Sequence, residues 1–176
     1  KNAFHTVKGQ PIRFLGVFDT VAGPLDNNVM KNIEFRDLYP AKGVKHAVHI
    51  LSMHEIRAEF QLRRFEQPMN LTSSIREIWL PGVHADVGGG YKENFVSNIA
   101  LLTMCDLLKK LGGVAVDEAV YETVLTDIRT KAKASRFVIN AEPYTGLKQK
   151  RDGTIGESDE IHPLHWHLLD QQVFWK

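Results

Sequence analysis

From Ile12 to Phe18 the chain reads IRFLGVF, an almost unbroken apolar run that ends at Asp19 and is followed by Gly23-Pro24. Such a run without alternation, closed by turn residues, fits a strand buried on both faces, as in a parallel sheet. A strand of that kind needs covering layers on both sides, and the following sequence offers candidates in alternation. From about Gly43, Val44, Ala47, Val48 and Leu51 fall at i, i+3, i+4 and i+7, and the spacing predicts a helix that continues loosely to Phe60. IREIWL, Ile75 to Leu80, reads as a second short strand. Ile99 to Leu111 is apolar except at Thr103, Asp106, Lys109 and Lys110, which predicts a mostly buried helix stopping at Gly112-Gly113. A third helix follows Asp117 as N-cap, with Tyr121, Val124, Leu125, Ile128 and Ala132 on one face. Beyond Ser135 the periodicity fades into the polar stretch LKQKRDGTIGESDEIHP, with Asp152-Gly153 as a turn, and the chain closes on the short amphipathic piece LHWHLLDQQVFWK.

Strand, helix, strand, helix is the order of an α/β fold with a mostly parallel sheet flanked by helices. With 176 residues and 43% hydrophobic side chains the chain can build one core, and no repeat, low-complexity tract or linker divides it. The net charge of +1, without a basic run, points away from nucleic acid as a partner. Cys105 is the sole cysteine, so no internal disulfide framework exists. No apolar run has transmembrane length, and no signal segment opens the chain. The sequence starts at Lys1 rather than Met and is expected to be cut from something longer.

Open α/β sheets place their chemistry outside the carboxyl ends of the strands. That rule selects Asp19 at the end of the first strand and His84 in LPGVHADVGGGY, just past the second. A carboxylate and an imidazole so delivered can serve as the acid and base beside a nucleophile, and in α/β-hydrolases the chain order is nucleophile, acid, histidine. Each residue also has a plainer reading: Asp19 as a turn or helix cap, His84 as a hydrogen-bonded loop histidine, Asp86 as a cap or loop anchor and otherwise a second choice for the acid. Gly88, Gly89 and Gly90 read as turn geometry; a phosphate nest there would lack the Gly-Lys-Ser/Thr of a Walker loop.

FLGVFDTVAG, then a histidine-containing helix, then IWLPGVHADVGGGY together resemble the α/β-hydrolase domain of the type VI secretion lipase effectors of the first class, and of a wider family of bacterial and fungal hydrolases sharing that domain. The resemblance covers roughly the first half of the chain. It implies a serine esterase acting on phospholipid acyl esters, with Asp19 and His84 completing a Ser-Asp-His triad. No cofactor and no metal are expected. The family's serine lies in a G-x-S-x-G elbow upstream of the aspartate, and this sequence contains no such motif; Ser52, Ser73 and Ser74 lack the glycines it needs. Residues 1–176 are therefore expected to be the C-terminal part of one catalytic domain: acid near 19, histidine loop 80–91, helical region 95–133, loop-rich tail 134–176. Its partners would be the missing N-terminal segment, lying beside the Ile12–Phe18 strand, a phospholipid substrate, and secretion-apparatus proteins. The setting would be a bacterium, with delivery through the type VI apparatus into a target cell, or otherwise the cytoplasm; the chain alone would be inactive.

Two other functions compete with a secreted antibacterial phospholipase: a non-catalytic α/β binding module without a nucleophile, and a metal-dependent hydrolase built on His84, Asp86 and Asp19. His46 and His49 would share a helical face, but H-E-x-x-H is absent, and His162, His165 and His167 near Asp159 and Glu160 lack a zinc spacing. Trp166, Phe174 and Trp175 could seal the domain's own core or meet a lipid–water boundary.

Overall fold

The apolar runs form a parallel sheet. In the computed structural model, which describes residues 11–21, 40–41, 43–58, 60–66, 72–133, 155–157 and 159–170, four parallel strands lie in the order β1 (Ile12–Phe18), β2 (Val44–Ser52), β3 (Ser74–Leu80), β4 (Glu160–Ile161). The helices are α1 (His84–Gly88), α2 (Phe95–Leu107), α3 (Glu118–Lys133) and α4 (Pro163–Asp170). A π-helical turn, Leu108–Gly112, extends α2 and ends at Gly113 with φ +67°.

The helix expected from Gly43 to Phe60 is instead strand β2 and an irregular segment after it. Val44, Ala47, Val48 and Leu51 match a helical period only because every residue from Ala47 to Ser52 is buried, so the alternation that would mark a strand is absent. Val48 and Ile50 join one cluster with Ile78, Leu80, Val87, Phe95, Val96, Met104, Leu164 and Leu168. Leu51 and Trp79 join another with Leu62, against which Met53, Ile155 and Ile161 pack. As a strand, β2 also puts His46 and His49 on opposite faces, which removes the shared helical face expected for them. Ser52, likewise expected within a helix, is the last residue of that strand.

Strand β1 pairs with β2 and stands at the edge of the described sheet, with Ile12 exposed and Phe14, Leu15, Val17 and Phe18 half-buried, where the sequence predicts a strand buried on both faces whose outer neighbour comes from an upstream segment. Gly16 sits under α2: a Cβ there would come within 2.7 Å of Met104 Sδ. Helix α2 begins four residues earlier than the spacing predicts and stops at the predicted glycines. Asp117 caps α3 as expected, its Oδ1 accepting the N–H groups of Ala119 and Val120 at 3.0 and 3.1 Å. Within the tail predicted to be loop-rich, β4 and α4 are formed, and α4 buries Leu164 and Leu168 while Trp166 is exposed. Phe174, Trp175 and the Asp152-Gly153 turn lie outside the described residues.

Candidate functional site

The parallel register aligns the carboxyl ends of three strands, Phe18 opposite Ile50 and Ile50 opposite Ile78. Asp19, one residue past β1, is fully buried and adopts φ +38°, a left-handed conformation that aspartate tolerates better than most residues. Its N–H still donates to Ile50 O at 2.7 Å, so the turn remains tied to β2. Carboxylate Oδ1 accepts the N–H of Ser52 at 2.8 Å, and Oδ2 lies 2.8 Å from His84 Nδ1. A carboxylate only accepts, so this contact places the ring proton on Nδ1 and leaves Nε2 with a free lone pair in the neutral imidazole.

His84 opens α1, and its side chain is 30% exposed. The approach from β3 is fixed by a reciprocal pair of bonds: Gly82 N–H donates to His54 Nδ1 and His54 N–H to Gly82 O, each 3.0 Å. Burial, and then the nearby His165, lower the His54 pKa to about 4, in keeping with a ring whose Nδ1 must stay unprotonated to accept. Gly82 has φ +122°, and a Cβ there would lie 2.7 Å from Asp86 Cβ. Asp86 is buried and its Oδ2 accepts the N–H of Val83 at 3.1 Å, the backward half of a capping box. Of the two carboxylates considered for the acid, Asp19 is thus the one seated on His84 Nδ1, while Asp86 holds the start of α1. Gly88 ends α1, and Gly89 and Gly90 follow with φ +85° and +126°, so the latter two need glycine for backbone conformation; open space surrounds Gly88 and Gly89.

Three residues that the sequence reading passed over complete the surroundings. Glu55 Oε2 accepts the N–H of His84 at 3.2 Å, and Phe60 packs edge-to-face on the His84 ring at 5.0 Å. Burial pushes the Glu55 carboxyl up, but hydrogen bonds from the Arg57 side chain and backbone and from the His84 backbone outweigh it, leaving the pKa below the ordinary glutamate value. Behind Asp19, buried His49 accepts the N–H of Thr20 on Nε2 at 2.9 Å, which places a neutral ring's proton on Nδ1, 3.4 Å from Glu77 Oε1. Glu77 in turn pairs with Arg64, which forks onto Asp159.

Two of the other histidines weighed as ligands are used locally. His162 Nδ1 accepts the N–H of Leu164 at the start of α4, and Nε2 lies 3.2 Å from the Thr103 hydroxyl; His165 packs on Trp166. Among the described residues no group of three or more His, Cys, Asp and Glu side chains could hold a metal ion, so the arrangement of His84, Asp86 and Asp19 considered as a metal site is not formed. Also among the described residues, no helix is long and apolar enough to cross a membrane.

A parallel sheet flanked by helices, with a histidine and an aspartate meeting beyond its carboxyl edge, defines an α/β-hydrolase-like protein. Residues 1–107 match the family described as T6SS, phospholipase effector Tle1-like, catalytic domain, and the chain belongs to that family. Neither the curated proteins nor the solved structures gave a match. The family is one of phospholipase effectors of the bacterial type VI secretion system, which agrees with the resemblance carried by FLGVFDTVAG and IWLPGVHADVGGGY.

Proposed function

We propose that this chain supplies the acid and the base of a serine phospholipase that cleaves acyl esters, with His84 as general base and Asp19 as its acid. The observation that carries the reading is the 2.8 Å contact between His84 Nδ1 and Asp19 Oδ2. It orients the ring and favours the tautomer with Nε2 available. In this reading Nε2 takes the proton of a serine hydroxyl as that oxygen attacks the ester carbonyl carbon; the imidazolium, stabilised by Asp19, then gives the proton to the departing lysolipid alkoxide. Water, deprotonated by the same nitrogen, releases the fatty acid and restores the serine.

The serine and the oxyanion donors come from a G-x-S-x-G segment preceding residue 1, so that residues 1–176 form the C-terminal part of one catalytic domain and β1 pairs with a strand of that segment. The support is the absence of the motif from this sequence, together with β1 standing at the described sheet's edge. The whole protein would act on phospholipid after delivery by the secretion apparatus into a target bacterium. A fluorophosphonate probe tests the assignment: it should label the polypeptide carrying the upstream segment and leave residues 1–176 unlabelled. Labelling of Ser73 or Ser74 in the shorter chain would overturn it; an upstream coding sequence without a serine elbow would replace it with a non-catalytic binding module.

A further inference from the structure

Glu55 follows β2 with its side chain wholly buried, an environment in which a carboxylate must be paired. Both oxygens are in use. Oε1 accepts from the backbone N–H groups of Ile56 and Arg57 and from Arg57 Nε at 3.0, 2.8 and 2.9 Å; Oε2 accepts from Arg57 Nη2 at 2.7 Å and from His84 N at 3.2 Å. The first N–H groups of a helix lack an acceptor within it, and at His84 the buried carboxylate supplies one. The Arg57 guanidinium continues outward over the Phe60 ring at 3.8 Å, and that ring meets His84 at an interplanar angle of 66°. The imidazole is thereby held at its backbone by Glu55, at Nδ1 by Asp19 and on its ring by Phe60.

We propose that Glu55, locked by Arg57, and Phe60 are positioning residues for His84: they set the backbone and ring orientation that keeps Nδ1 on Asp19 and Nε2 toward the reacting ester. The inference rests on His84 being the base. Misplacement of a catalytic group by about 1 Å costs on the order of a hundredfold in rate. A loosened clamp therefore lowers kcat and leaves KM nearly unchanged, since neither Glu55 nor Phe60 is asked to bind lipid.

Two measurements test this together. In the polypeptide bearing the serine segment, the proton on His84 Nδ1, shared with Asp19, should give a downfield resonance in the proton NMR spectrum that identifies the aligned ring. In the same polypeptide, kcat and KM for a phospholipid ester are compared. Glu55→Gln and Phe60→Ala should each broaden or abolish the resonance and lower kcat about ten- to a hundredfold, and Phe60→Tyr, which keeps the ring, should restore both. Should Glu55→Gln fail to fold, the Phe60 pair carries the test. Retention of the resonance and of kcat in Phe60→Ala overturns the proposal. A resonance that responds as expected in a polypeptide without esterase activity upholds the positioning and removes the base assignment instead.

Discussion

His84 Nδ1 and Asp19 Oδ2 are 2.8 Å apart although 65 positions separate the residues in the chain. The approach follows from topology. β2 lies between β1 and β3, all three run in parallel, and their registers place Phe18, Ile50 and Ile78 in one row. What leaves β1 and what leaves β3 then emerge on the same side, with the N–H of Ser52 between them holding the second oxygen of Asp19.

Asp19→Asn should preserve the fold and lower kcat of the complete polypeptide by about three to four orders of magnitude, because an amide no longer enforces the Nδ1–H tautomer. Asparagine tolerates the positive φ of this position, and its carbonyl can still accept from Ser52. Ester hydrolysis and thermal unfolding of the same preparation check the expectation; a loss below tenfold with an unchanged melting curve would rule out Asp19 as the acid.

Acid should destabilise the domain through His54. Its folded pKa of about 4 lies below the ordinary 6.5, so the unfolded chain takes up the proton first; stability is complete above pH 6.5 and is lost as pH falls toward 4. The loss from this ring approaches about 3 kcal/mol, at 1.4 kcal/mol per pH unit of displacement. His162 and His165, also lowered by burial, add in the same direction. His54→Asn keeps an acceptor for the Gly82 N–H without a titrating ring, and urea unfolding at pH 7 and pH 4.5 should show a smaller difference for the variant than for the parent.

Much of this was legible in the sequence, and the parts that were not have separate physical causes. β1, β3, the α2 stop at Gly112-Gly113 and the Asp117 cap follow from run length and capping chemistry. Asp19 and His84 follow from asking what lies beyond a strand's carboxyl end. β2 carries no strand alternation because it is buried on both faces, so it reads as a helix and the same question is not asked of it. Glu55, Arg57 and Phe60 stand just where it would have pointed. The left-handed turn at Asp19 has no sequence signal, since aspartate occupies ordinary turns equally well.

Two arginine–carboxylate forks separate buried from exposed pairing. Arg64 joins Glu77 and Asp159, whose side chains are 8% and 11% exposed, whereas Arg76 meets Glu160 with both side chains about two-fifths exposed. Arg64→Met should cost about 2–4 kcal/mol, as it strands Glu77 between a single backbone donor and His49. Arg76→Met should cost less than about 1 kcal/mol. Denaturant titrations of the two variants side by side decide this, and equal costs would contradict it.

Packing under α2 gives a further test. Alanine at Gly16 places a methyl group 2.7 Å from Met104 Sδ and 3.0 Å from a Phe14 ring carbon, and Met104 is itself buried. Gly16→Ala should therefore destabilise by about 1–3 kcal/mol despite alanine's smaller unfolded-state entropy. Since the closest clash is with Met104, Gly16→Ala should cost less in a Met104→Ala background than in the parent, a coupling that a double-mutant cycle measures directly. Additive costs would place the conflict in the Phe14 ring or the β1 backbone instead.

Asp86 and Asp19 should part company under mutation, though both are buried and both border His84 in space or sequence. Asp86 Oδ2 holds the Val83 N–H from the third position of α1, so it secures the helix start on which His84 rides. Removing such a bond costs about 0.5–2 kcal/mol, and Asp86→Ala should lower the melting temperature measurably. Asp86→Asn retains an acceptor oxygen for Val83 and should stay within about tenfold of the parent in kcat, against the far larger loss predicted for Asp19→Asn. Gly82→Ala supplies the internal control. Its Cβ would meet Asp86 Cβ at 2.7 Å from a backbone at φ +122°, so it should displace the cap and α1 together, reducing both stability and turnover. If Asp86→Asn abolishes turnover while melting like the parent and Asp19→Asn does not, the acid role passes from Asp19 to Asp86.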